Sequence, residues 1–336
     1  MIKYKECKKC INNESNPTIS ISPNGFCNVC NDYLEGFNKD DLKNELNFIK
    51  DYAGNNKYDC MVALSGGKDS TSMLLDTLEL GFHPLSFSFD IGYNSFSESA
   101  FEKMNVLTKK LSVPYEIINA HKYITNNDKK CFTKMAEIYD KAEKGIITKK
   151  DFKKLYLEGR KYYSTKEIVE FPFVRPCQIC RKIAIRAYYA EAVKRNIRFV
   201  FVGINEWASK KYGVYSSIRK IQPRNDCSAV YIVHLPFLLQ RTHGYVEQNL
   251  KKLEKYGLNI DAAVRTGGNS CNLAAACEYK AHKLLGFHLD SARLSREVTV
   301  GFINRQTALN AIDSYNKNST IDLFKLLYEA QIIERR

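Results

Sequence analysis

Met61-Val62-Ala63-Leu64-Ser65-Gly66-Gly67-Lys68-Asp69-Ser70 is the stretch on which the fold turns. Asp59 to Leu64 is a short apolar run of the kind that makes a buried parallel strand. From Ser70 to Leu80 the apolar residues recur at helical spacing, and Gly81 closes the pattern. The Ser65-Gly66-Gly67 turn between them lets backbone N–H groups converge at the helix start, where unpaired donors and the macrodipole hold an anion. Lys68 adds a mobile positive charge.

The same alternation continues on both sides of this unit. Leu85 to Phe89 reads as a second buried strand ending in Asp90-Ile91-Gly92, Glu98 to Leu111 as a helix, and Pro114 to Asn119 as a third strand. Ile183 to Lys194 reads as a helix and Phe199 to Val202 as a strong apolar strand ending in Gly203-Ile204-Asn205-Glu206. Strands alternating with helices predict an α/β fold, a doubly wound and mainly parallel sheet with right-handed crossovers. Ligands of such sheets sit beyond the strand carboxyl ends, which makes Asp90 and Gly203 candidates for contact with a nucleoside.

A phosphate loop of the Gly-x-x-x-x-Gly-Lys-Ser/Thr kind is excluded, because Val62 stands at the first glycine and Asp69 at the metal-binding hydroxyl. Ser65-Gly66-Gly67-Lys68-Asp69-Ser70 after a strand instead resembles the signature of the PP-loop ATP pyrophosphatase superfamily. The resemblance implies that these six residues grip the phosphates of ATP, with Mg²⁺, while AMP passes to a carbonyl oxygen of a substrate. Lys68 and Asp69 are the catalytic candidates of the loop.

Cys7-Lys8-Lys9-Cys10 and Cys27-Asn28-Val29-Cys30 form two Cys-x-x-Cys pairs, the second preceded by Pro23-Asn24-Gly25. Each pair puts two sulfurs on one tight turn, and four thiolates make a closed site for Zn²⁺ with no coordination position left for chemistry. The chain therefore divides into a zinc ribbon over 1–36, a linker helix over 37–57 and a nucleotide domain over 58–240. That domain carries a Lys- and Tyr-rich helical insertion over ~121–170, a candidate substrate surface, and a helical region over 241–336 completes the site.

The 336 residues carry 44% hydrophobic side chains, enough for a substantial core, and a net charge of +14. That charge favours polyanions such as tRNA, although lysines spread through Asn- and Ile-rich sequence produce the same excess through composition. No apolar run reaches the roughly 18 residues a membrane span needs, and Met1 to Glu6 lacks the apolar core of a signal peptide. A cytoplasmic protein without membrane contact is expected, and a homodimer is compatible with the sequence. In that compartment eleven cysteines point to metal or redox work rather than disulfides.

Arg175-Pro176-Cys177-Gln178-Ile179-Cys180-Arg181 supplies a third Cys-x-x-Cys pair, and Gly267-Gly268-Asn269-Ser270 places Cys271 at a helix start, where a thiolate is stabilised. Cys277, six residues on, is an alternative third partner; Cys60, Cys131 and Cys227 read as packing residues. A ribbon running into a PP-loop domain resembles two branches of the superfamily. Cys7 to Cys30 and Arg293 to Ala308 look like the N-acetyl sugar amidotransferases of surface-polysaccharide synthesis, whereas Cys177, Cys180 and Cys271 match the sulfur-inserting tRNA 2-thiolation enzymes. The second resemblance implies a [4Fe-4S] cluster on the three cysteines, one iron remaining open to sulfide. It also implies a sulfur donor, and thiolation of a tRNA or small-molecule acceptor. The first implies the same adenylation followed by attack of ammonia from a glutaminase subunit.

Overall fold

The computed structural model describes residues 4–53, 57–92, 98–164, 170–221, 229–269, 271–315 and 321–334. The chain opens with the cysteine pairs, whose second turn runs into α1 (Asn28–Gly36), followed by α2 (Lys39–Tyr52), capped by the Asn38 side chain on Asp40 N–H. Then come β1 (Cys60–Ala63), α3 (Lys68–Glu79), β2 (Pro84–Asp90), α4 (Glu98–Lys110) and β3 (Tyr115–Asn119). Each lies within a few residues of the bounds expected from the sequence, because apolar runs and glycine stops are local signals. Two helices follow: α5 (Asn126–Glu143), held by a Thr125–Asp128 capping box, and α6 (Lys149–Ser164).

One departure lies in α7 (Pro176–Lys194), which starts seven residues before the expected Ile183. Pro176 occupies its first turn, where a missing N–H and a fixed φ suit a helix start. Cys177 and Cys180 thus belong to a helix rather than to a preceding turn. After β4 (Phe199–Val202) come strands beyond those expected: a hairpin of β5 (Ser209–Lys211) and β6 (Val214–Ser216), then β7 (Ile218–Ile221) and β8 (Val230–His234). Helices complete the chain: α8 (Leu235–Leu238), α9 (His243–Glu254), α10 (Asn272–Leu285), α11 (Ser291–Thr299), α12 (Arg305–Asp313) and α13 (Leu323–Glu329).

Six strands form one sheet in the order β3-β2-β1-β4-β8-β7, parallel except for β7, which runs antiparallel to β8. The fold is thus an α/β, mainly parallel sheet flanked by helices. Cys60 pairs with Pro84 on one side and Phe199 on the other, so the order reverses between β1 and β4 and their carboxyl ends open a crevice. Period-two alternation splits the central strands between two layers. Cys60, Val62, Phe199 and Phe201 pack with Met73, Leu74, Leu107 and Leu250, while Met61, Val200 and Val202 pack with Ala192 and Ile197. A third apolar cluster joins α5, α6, α7, α10 and α13. Among the described residues, no helix is long and apolar enough to cross a membrane.

Candidate functional site

The loop occupies the crevice. Gly66 takes φ +72°, and the first position before α3 is Gly67, so no side chain caps the helix donors there. Ser70 knits the turn: its hydroxyl accepts from Ser65 N–H at 3.1 Å, meets the Ser65 hydroxyl at 2.9 Å and donates to the Gly67 carbonyl at 3.1 Å. Lys68 Nζ lies 2.6 and 2.8 Å from the two oxygens of Asp69 and 5.7 Å from the centre of the Phe302 ring. Its side chain is 10% exposed, so the cation is held in place rather than waving in solvent.

Gly203, at the end of β4, abuts this loop. A Cβ there would come within 2.9 Å of Ser70 N and 3.1 Å of Asp69 C. The residue type is therefore set by close backbone approach. Asp90, at the end of β2, accepts from Gly92 N–H at 3.0 Å through one carboxylate oxygen and from Ala120 N–H at 2.7 Å through its carbonyl.

Beyond Gly203 lie residues that sequence reasoning left without roles. Glu206 is buried and ion-paired with Arg296 of α11; burial raises its carboxyl and Arg296 lowers it more, leaving it below the usual range. The buried His234, at the end of β8, donates through Nδ1 to the Glu206 carbonyl at 2.7 Å, and burial pulls its pKa down to about 4. Asn205 Oδ1 and Ser295 Oγ are buried with no hydrogen-bond partner among the described residues.

A run of polar side chains leads from the loop to the cysteines. Glu297, whose carboxyl is raised by burial, feels the charges of Arg293, Asp69 and Lys68. Arg293 donates to Glu297 at 2.7 Å, to Asp290 at 2.6 Å and to the Arg265 carbonyl at 2.8 Å. Asp290 accepts from Gly267 N–H at 3.0 Å, and Arg293 holds its pKa at about 2 against burial. Glu278 follows, gripped by Thr266 Oγ1 and Gly268 N–H, each at 2.9 Å, and lying 3.7 Å from His288 Nε2. Burial, then Asp290, pushes its pKa up to about 7. A Cβ on Gly268 would fall 2.4 Å from Glu278 Oε2, so the glycine pair was the sequence signal for this buried acid.

Cys177 and Cys180 lie one turn apart on α7, and Cys271 is the residue before α10, its sulfur accepting from Ala274 N–H at 3.5 Å. Cys177 is reached by solvent although protein crowds round it: desolvation, Cys271, Asp290 and Glu278 raise its pKa to about 11 against the pull of Arg175. The expected stabilisation of a Cys271 thiolate is corrected here. Helix-start N–H groups do lower its pKa, but burial outweighs them and the net shift is upward. Cys277 is wholly buried in the helical cluster, as is Cys131, while Cys60 sits in the sheet core. Cys227 lies outside the described residues.

The N-terminal four are gathered far more tightly. Their sulfurs all lie within 4.8 Å of one another, with Cys7–Cys30 at 3.9 Å and Cys10–Cys27 at 3.6 Å. A tetrahedral ion with metal–sulfur bonds of about 2.3 Å needs sulfurs about 3.8 Å apart, so the quartet has the size of a one-ion site. Cys10 N–H and Cys27 N–H point at Cys7 Sγ at 3.5 and 3.2 Å, and Asn12 N–H at Cys10 Sγ at 3.5 Å, the donors thiolate charge calls for. Among the described residues no other three ligand atoms of His, Cys, Asp or Glu are so grouped, and Cys177, Cys180 and Cys271 are not drawn together for a single ion.

No protein-family model matches the chain, and no curated protein matches it in sequence. Among solved structures, the U34-tRNA thiolase NcsA from Methanococcus maripaludis, with its [4Fe-4S] cluster, aligns over 96% of this chain and 92% of that chain, at 12% identity and a TM-score of 0.36. A likeness of that size carries no argument about chemistry, which rests on the residues themselves.

Proposed function

We propose that the chain is an ATP-dependent transferase of the PP-loop pyrophosphatase type, which adenylates a carbonyl oxygen and then replaces that oxygen with sulfur. What supports the reading is a series of charged groups between loop and cysteines: Glu297 feels Asp69 and Lys68, Arg293 bonds both Glu297 and Asp290, and Asp290 and Glu278 act on Cys177. The phosphate loop and the cysteines are, in this reading, parts of one site.

In this reading Ser65 to Ser70 and Asp69 hold the phosphates of ATP with Mg²⁺, and Lys68 meets charge developing on pyrophosphate. The substrate oxygen attacks the α-phosphorus and the bond to pyrophosphate breaks, leaving an AMP ester. Sulfide from a donor then adds to the activated carbon, the carbon–oxygen bond breaks, and AMP departs with the original oxygen, giving C=S. Cys177, Cys180 and Cys271 would hold a [4Fe-4S] cluster, which when bound supplies an open iron for sulfide. The raised thiol pKa values of Cys177 and Cys271 fit groups that ionise on binding metal rather than free thiolate nucleophiles. Cys7, Cys10, Cys27 and Cys30 would hold Zn²⁺. The acceptor is a tRNA or a small carbonyl compound.

One observation favours a second reading, transfer of ammonia from a glutaminase subunit to a sugar acetamido group. Arg293 to Ala308, the segment that resembles the sugar amidotransferases, supplies Phe302 beside Lys68 and Glu297, which feels the Lys68 charge and is held by Arg293. Anaerobic protein given α-labelled ATP and candidate acceptors separates the two. AMP and pyrophosphate are expected from either; ADP and phosphate would remove both. Loss of product in Cys177→Ala, Cys180→Ala and Cys271→Ala, with iron and sulfide in the wild type, supports sulfur; an iron-free protein indifferent to those changes leaves ammonia.

A further inference from the structure

One side chain from outside the ribbon reaches a sulfur of the four-thiol centre directly. Thr299, in the last turn of α11 and 2% exposed, has its hydroxyl 3.2 Å from Cys30 Sγ across 269 residues of sequence. The same hydroxyl lies 2.8 Å from the Ser295 carbonyl one turn back in its own helix. A hydroxyl has one proton, and a metal-bound thiolate is acceptor only, so occupancy of the centre decides which of the two the proton serves. Past α11 the chain is tied to the ribbon a second time: Arg305 Nε donates to the Cys10 carbonyl at 3.1 Å, and its guanidinium pairs with Glu6 at 3.0 Å.

The segment that carries these two ties, 293–305, is also the one that walls the nucleotide loop. Arg296 holds Glu206, Arg293 holds Asp290 and Glu297, and Phe302 lies beneath Lys68. Leu294 and Val298 fill the rest of the helix face in the core that also contains Cys7, Cys10, Cys27 and Cys30. A module meant only to fold itself would need none of these ties.

We infer that Thr299 is a positioning residue through which the N-terminal metal centre holds residues 291–305 against the nucleotide loop, so that metal in the ribbon governs the adenylation site. The inference rests on reading the quartet as a metal centre, and metal content is therefore measured first. Hydrogen exchange is then followed on the full chain before and after removal of the ribbon metal by a thiol-reactive reagent and chelator. Protection is expected to fall tenfold or more in 291–305 and in 65–70 as well as in 4–36, and to return when Zn²⁺ is restored. Thr299→Val, which keeps shape and removes the hydroxyl, is expected to hold the metal about 10- to 100-fold less tightly. With metal present it should exchange faster in 291–303 and weaken ATP binding severalfold; Thr299→Ser should restore both. A protein without ribbon metal overturns the inference at its premise. Metal present, with exchange changes confined to 4–36 and Thr299→Val like wild type, overturns the coupling alone.

Discussion

Gly203 leaves no room for a side chain, because the atoms a Cβ would meet are backbone atoms of Ser70 and Asp69 that belong to a helix start and cannot step aside. Gly203→Ala is expected to cost about 1–3 kcal/mol of stability, as overpacking does, and to weaken nucleotide binding tenfold or more. Urea unfolding and a nucleotide titration read the two effects; a variant that binds ATP normally would show the loop tolerant of displacement. Lys68→Ala removes a cation clamped by Asp69 over Phe302 and is expected to lower the ATP-cleavage rate about 10²- to 10³-fold with little change in thermal stability. The loop was legible in sequence because its signals lie within ten residues. The Glu206–Arg296 pair was not: it joins positions 90 apart, and nothing near either residue announces the other.

Among the elements, α10 presents two cysteines of opposite character, one at its start and one within it. Cys277 is buried in the helical cluster and Cys271 is partly exposed. Cys277→Ala is expected to cost roughly 1 kcal/mol or more by leaving a cavity while product formation persists. Cys271→Ala is expected to leave stability within about 0.5 kcal/mol and abolish product. Thermal melts beside product assays decide whether the two have been assigned correctly. At the end of β8, His234 is buried neutral with a pKa near 4, below the 6.5 of an exposed histidine. A depressed histidine contributes full stability above pH 6.5 and loses it as pH falls toward 4, at most about 3 kcal/mol. Glu278, raised to about 7 by burial, acts in the opposite sense, gaining stability as pH falls from 7. The comparison is therefore with His234→Asn, which keeps a donor for the Glu206 carbonyl. Taken as the urea midpoint at pH 5 minus that at pH 7, the change should be more negative in the wild type than in the variant; equal changes would mean His234 is not the acid-sensitive group. The missed strands β5 to β7 are three or four residues long, and Arg219 and Lys220 interrupt the apolar alternation of β7, so no periodic signal reached the length at which it is read; β8 carries an apolar run as long as that of β4 and was legible.

At the level of the whole molecule, the ribbon shares its core with the sheet. Tyr33 stacks on Phe37 at 4.8 Å and Trp207 at 5.5 Å and meets Tyr215 edge-on at 5.0 Å. A chain beginning at Phe37 is expected to expose that cluster and to lose soluble, cooperative folding, which light scattering and calorimetry would register; a well-behaved truncation would show the cluster dispensable. The apolar runs that built the sheet were visible in the sequence, whereas this shared core is a meeting of segments 180 residues apart. The open ends of the sheet carry a further consequence. On β3 the side chains of Glu116 and Ile117 face solvent, Ile117 at 53% exposure, with Arg195 tied to Glu116; on β7 Arg219 and Lys220 stand outward. Like charges on β7 repel a second copy, while the exposed isoleucine on β3 does not. In concentrated preparations, strand-to-strand association of copies should begin at β3, and a lysine in place of Ile117 is the natural guard against it.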